Sequence, residues 1–108
     1  MYHSVAAQVL RLKAGELPDP GFIEVMEHVK EETHYLGTIA EEIGDRWVNK
    51  ELYIANFYAD KAIDRARQII RAQTINTTAT PDTMERLAKY ALDYSERVLA
   101  LLEIEEGK

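Results

Sequence analysis

In the stretch from Asp19 to Trp47, Phe22, Val25, Met26, Val29, Thr33, Leu36, Ala40, Ile43 and Trp47 recur at steps of three and four. At about 100° per residue these positions share one side of a helix. The opposite side collects Glu24, Glu27, Glu31, His34, Thr38, Glu41 and Asp45. A seam of this kind is stable only when other elements cover it. Five glycines and three prolines in 108 residues are too few for a turn-rich β chain, so the covering elements are expected to be helices.

The start of this central helix is marked by Asp19-Pro20: Asp19 can accept from the free N–H groups, and Pro20 suits the first helical position. Two ends are conceivable. Gly37-Thr38 offers a glycine stop and a capping box, Thr38-Ile39-Ala40-Glu41. Val48-Asn49-Lys50 offers Asn49 as the cap of the next helix. The second is preferred, because the seam passes Gly37 in phase and a stop near 48 leaves three helices of similar length, about 25 residues or nearly 40 Å each.

Around this element, a short helix is expected from Ser4, its candidate cap, to Ala14, with Val5, Val9 and Leu12 on its inner side. A third helix, about Lys50 to Gln73, carries Leu52, Ala55, Ala59, Ala62, Ile63, Ala66, Ile69 and Ile70 on one face, and its alanines permit close approach of a neighbour. Residues 74–80 read as a linker. Thr80-Pro81 restarts a last helix whose inner side is Met84, Leu87, Ala88, Ala91, Tyr94, Val98, Leu101 and Leu102. On its wet side, Glu85 with Lys89 and Asp93 with Arg97 are spaced for i,i+4 pairs, and residues 105–108 are expected to fray. The fold class is therefore all-α: one domain over 1–108, an antiparallel bundle of three long helices with a short N-terminal one.

The chain carries 19 acidic against 13 basic side chains, a net charge of −6, so its field as a whole disfavours nucleic-acid phosphate. The absence of cysteine excludes disulfides and thiolate sites. The opening MYHSVAAQVLRLKAGEL does not have a basic leader followed by an apolar core, and no apolar run approaches the ~20 residues of a membrane span. A cytoplasmic protein without membrane contact is expected. Lys61, Arg65, Arg67 and Arg71 are interrupted by Asp60 and Asp64 and read as a salt-paired solvent face. No Gly-rich phosphate loop or nucleophile motif is present.

Two carboxylate patterns bear on chemistry. Glu24-x-x-Glu27, fourteen residues, then Glu42-x-x-Asp45 resembles the pattern of the MazG-type all-α nucleotide pyrophosphohydrolases. The resemblance implies Mg²⁺ held by Glu24, Glu27, Glu42 and Asp45, activating water against a nucleoside triphosphate. On one unbroken helix Glu24 and Asp45 stand about 31 Å apart. They can share a metal only if the chain breaks at Gly37 or two copies pair antiparallel. Glu31-x-x-His34 is the Glu-x-x-His element of ferritin-like di-iron bundles, but both residues lie opposite the seam. His28 and Glu32 are one turn apart at the seam's edge.

A third feature is surplus apolar surface. Tyr53, Ile54, Phe57 and Tyr58 lie off the inner face of the third helix, and Leu92 and Leu99 off that of the last. Such surface asks for a cover. The leading reading is a homo-oligomeric protein-interaction module with no cofactor, joined through these six residues and presenting helix faces to a second protein. The Mg²⁺-dependent pyrophosphohydrolase is the alternative, and a ferritin-like metal bundle a more distant one.

Overall fold

The computed structural model describes residues 1–75 and 80–106. Four helices account for nearly all of them, in the order α1 (Tyr2–Lys13), α2 (Pro20–Glu42), α3 (Arg46–Ile75) and α4 (Pro81–Glu106). No strand occurs among the described residues. The all-α bundle is thus as the sequence pattern requires. The assembly is elongated, 49 × 22 × 19 Å.

The starts of α2 and α4 follow their local signals. Asp19 Oδ1 accepts from Phe22 N–H at 3.0 Å with Pro20 next in line, and Thr80 Oγ1 accepts from Thr83 N–H at 3.1 Å. Other expected boundaries are corrected. Helix α1 begins at Tyr2, so Ser4 lies inside it and is no cap. Helix α4 continues to Glu106, through the first two residues of the expected 105–108 tail, whose last two lie outside the described residues. Of the expected linker, 74 and 75 belong to α3, 76–79 lie outside the described residues, and Thr80 is the cap of α4.

The largest correction concerns the central stretch, which is two helices. Helix α2 passes through Gly37 and ends at Glu42. Gly44 N–H then bonds Glu41 O at 3.2 Å and Asp45 N–H bonds Ala40 O at 2.9 Å, with Gly44 at φ +76°. This paired arrangement satisfies the last carbonyls of the helix and needs a left-handed residue at its centre. Asp45 at once caps α3, accepting from Val48 N–H at 3.1 Å. Asn49, expected as the cap, sits in the first turn of α3 instead. Ile43 and Trp47 leave the seam and are 73% and 69% exposed.

Gly37 has a different role. A Cβ built there would stand 3.2 Å from Asn49 Oδ1, so the glycine marks a close approach of α2 and α3. Further along the same groove, Asn56 Nδ2 donates to Lys30 O at 2.9 Å and to Thr33 Oγ1 at 3.1 Å, and the Thr33 hydroxyl donates to Val29 O at 2.6 Å. Buried Thr33 on the apolar seam is therefore satisfied.

The core gathers Val5, Val9 and Leu12 of α1, Phe22, Met26 and Val29 of α2, the alanines and Ile63 of α3, and Ala91, Val98 and Leu102 of α4. Helix α3 packs between α2 and α4, while α1 lies against α4 and, more lightly, α2. At 12 residues against 23, α1 covers only part of α2. Met1 and Ser4 reach Val25, His28 and Glu32; past that point the same flank of α2 presents Leu36, Ile39 and Ile43 to solvent.

The turn assignment predicts opposite responses at two glycines. Gly44→Ala forces an L side chain into left-handed backbone, a cost of about 1–2 kcal/mol, and is expected to lower the melting temperature by several degrees. Gly37→Ala displaces only the end of the Asn49 side chain and gains up to ~1 kcal/mol of helix propensity, so its melting temperature should be equal to or above wild type. The reverse order would place the break at 37.

The cap of α2 predicts a pH dependence. The Asp19 carboxyl is held below its usual range by the Phe22 N–H and, through Arg11 at 3.1 Å, by a guanidinium. A depressed folded pKa means stability present above the unfolded value, about 3.9, and lost as pH falls through the folded one. Asp19→Ala is expected to lose ~1 kcal/mol at neutral pH. Thermal melts of the two proteins should converge as the pH is taken down below ~4.

Candidate functional site

The four carboxylates of the metal reading do not come together. Glu24 and Glu27 lie in the first two turns of α2, Glu42 is its last residue, and Asp45 is engaged as the cap of α3. Eighteen residues of unbroken helix, about 27 Å, separate Glu24 from Glu42. Glu27 accepts from Arg67 Nη2 at 2.9 Å. Since α2 does not break at Gly37, convergence within one chain is ruled out. Among the described residues no group of three or more His, Asp or Glu side chains could hold a metal ion. Glu31 of the Glu-x-x-His element faces solvent, 3.8 Å from His28 Nδ1. His34 lies in the groove between α2 and α3, beside Thr38, Asn49 and Tyr53. His28 is exposed, and its carboxylate neighbour is Glu31, not Glu32.

The six residues of the apolar reading separate into two sets. Tyr58, Leu92 and Leu99 already pack against the core. Leu92 and Leu99 are on the flank of α4 away from Tyr90 and Arg97, and α1 docks on α4. Tyr58 stacks on Tyr94 with ring centroids 6.0 Å apart and accepts from Arg97 Nη1 at 2.8 Å. Arg97 thus turns to α3 and makes no ion pair with Asp93. Ile54 is half-buried. Tyr53 and Phe57 remain, 72% and 48% exposed.

Tyr53 and Phe57 stand one turn apart on the edge of α3 that faces α2. Tyr53 lines a shallow groove with His34, Thr38 and Glu41, and both rings line a second with Lys30 and Asp60. The register of the two helices is fixed by a ladder of contacts: Arg67 with Glu27 at 2.9 Å, Lys30 with Asp60 at 2.8 Å, and Asn56 with Thr33 at 3.1 Å. Gly37 beside Asn49 extends the ladder to the turn.

Charge on this surface is segregated by helix. The expected salt pairing is met by Arg67 with Glu27 and Arg65 with Asp64. It is not met by Lys61 and Arg71, which have no carboxylate partner among the described residues; neither do Arg46 and Lys50. The Lys61 and Lys50 ammonium groups instead sit over the Phe57 and Trp47 rings, 5.3 and 5.9 Å from their centroids. On the α2 side, Glu24, Glu41 and Glu42 have no cationic partner among the described residues, and Glu31 has only an imidazole. The sequence signal for this was the step of Lys50, Tyr53, Phe57 and Lys61 at three and four, an amphipathic strip on the outer side of α3.

No protein family, curated protein or solved structure matches this chain. No helix among the described residues is long and apolar enough to cross a membrane.

The placement of the carboxylates gives an expected outcome for metal addition. Millimolar Mg²⁺ or Mn²⁺, compared with EDTA, should leave the melting temperature where it is. Binding to the folded state at a hundred times the dissociation constant would contribute about 2.7 kcal/mol. A rise of several degrees would show that the two acidic pairs meet across copies.

Proposed function

We propose that this chain is a homo-oligomeric protein-interaction module of the cytoplasm: it joins copies of itself through the α2–α3 surface and offers its remaining helix faces to a second protein. The observation that carries this reading is the pair Tyr53 and Phe57. Two neighbouring aromatic rings exposed at 72% and 48%, on an edge bounded by Glu41, Lys50 and Lys61, which have no ion-pair partner among the described residues, make a surface that gains from being covered. Aromatic side chains of this kind bury on the order of 150–250 Å² each and dominate interface energetics. Leu36, Ile39 and Ile43, on the flank of α2 beyond α1, supply a separate face for the second protein.

The reading is tested by mass in solution. Sedimentation equilibrium of the purified chain should give a mass above that of the 12.4 kDa monomer at micromolar concentration. Tyr53→Ser with Phe57→Ser should shift it to the monomer without loss of helix content, because neither ring belongs to the core. An unchanged mass in the double variant would remove the two rings from the interface.

A further inference from the structure

We infer that the α2–α3 surface is self-complementary and takes a second copy of this chain, with α2 of each copy lying over α3 of the other about a two-fold axis parallel to the helices. The inference rests on the reading above and specifies its geometry. Three observations support it: segregated charge, matched register and adequate area.

Helices α2 and α3 lie side by side and antiparallel, so their outer sides form one surface with α2 acidic and α3 basic. A two-fold axis along the seam between them, in the plane of the interface, exchanges left for right and leaves height unchanged. Each acidic side chain of α2 then faces the α3 residue that stands at its own level. The ladder fixes these levels. Position 27 stands with 67, 30 with 60, 33 with 56 and 37 with 49. On this ladder Glu31 stands about two residues from the level of Lys61, and Glu41, beside the turn where Asp45 N–H bonds Ala40 O, about two residues from Arg46 and about five from Lys50. None of Glu31, Lys61, Glu41, Arg46 and Lys50 has a carboxylate or strong cationic partner among the described residues. In the paired arrangement Glu31 with Lys61 and Glu41 with Arg46 come within side-chain reach, and the two-fold doubles both contacts.

Between the two charged zones, Tyr53 and Phe57 stand at the height of residues 32–35 of α2 and close against the partner copy's groove near the axis. The apolar centre is therefore ringed by ion pairs, the anatomy of an interface core and rim. An axis running across the helices would instead lay acidic α2 on acidic α2, setting like charges together. The surface is large enough. A strip about 34 Å long and two helix widths, ~20 Å, across covers on the order of 700 Å², close to the ~800 Å² per partner of a stable complex.

The test uses two variants of the full chain, one with Arg46→Glu and Lys61→Glu, the other with Glu31→Lys and Glu41→Lys. Circular dichroism confirms that both fold, since all four positions are on the surface. Each variant alone sets like charges opposite each other in both halves of the interface. Its dimer dissociation constant, by sedimentation equilibrium at low salt, is expected to rise roughly tenfold or more. An equimolar mixture pairs an all-acidic surface with an all-basic one and is expected to restore a heterodimer at least as tight as the wild-type dimer. Raising salt from ~0.05 to ~0.5 M should weaken the mixture more than wild type. If each variant alone associates like wild type, or if the mixture stays monomeric, the α2-over-α3 pairing is overturned while self-association stands. If the wild-type chain is monomeric at every concentration, the functional reading falls and this inference with it.

Discussion

The three-residue connection at Ile43-Gly44-Asp45 sets the height of every residue of α3 against α2. Gly44 in left-handed backbone lets Gly44 and Asp45 return two hydrogen bonds to the end of α2, and the Asp45 carboxylate starts α3 with no intervening loop. So short a turn leaves the two helices antiparallel and adjacent from their first facing residues. Asn49 then meets Gly37, where a larger residue would crowd it, and Asn56 reaches the backbone of α2 at Lys30. The alanine face of α3 turns inward to meet α2 and α4. Its outer edge, with Tyr53 and Phe57, comes to lie beside the acidic side of α2.

The composition of the outer α2–α3 surface depends on that register. An acidic helix beside a basic one is ordinary in a protein with many ion pairs. Here the pairs that form across the groove use Glu27, Lys30, Asp60 and Arg67, while Glu24, Glu41, Glu42, Arg46, Lys50 and Lys61 have no ion-pair partner among the described residues. A bundle in which α1 is half the length of its neighbours also leaves apolar surface on α2 that its own chain does not cover. Both features place unsatisfied surface on the exterior of one hairpin. Covering such surface by association is the simplest physical account, and it needs no metal, cofactor or catalytic group.

Much of this was legible in the sequence. The helical class, the inner faces of α1 and α3, and the starts at Asp19-Pro20 and Thr80-Pro81 follow from periodicity and local capping chemistry. The end of α2 is not legible from spacing, because a turn of three residues barely disturbs the phase: Ile43 and Trp47 continue the three-and-four spacing although they belong to different elements. The sequence signal for that end is the dipeptide Gly44-Asp45, a left-handed stop followed at once by a cap. Tyr53 and Phe57 could be recognised as lying off the inner face of their helix. Leu92 and Leu99 looked the same, yet pack against the core, since which flank of α4 is covered depends on where α1 docks. The charge segregation was hidden for a similar reason. Spacing within one helix suggests Asp93 with Arg97, but Arg97 crosses to Tyr58 and Arg67 to Glu27.

The cysteine-free sequence makes the geometry of association directly measurable by spin labels at single introduced cysteines. The most direct test places one label near the turn, at Thr38→Cys, and in a second protein one near the other end of the hairpin, at Gln68→Cys, and measures the distance between copies by double electron–electron resonance. With the axis parallel to the helices, both labels face their own counterparts at equal height, and both distances should be short, within about 20 Å for helices packed 8–10 Å apart. An axis across the helices carries the two ends apart. A long distance at either position, or no intermolecular signal at concentrations where the chain is a dimer, would contradict the pairing of α2 with α3 across copies.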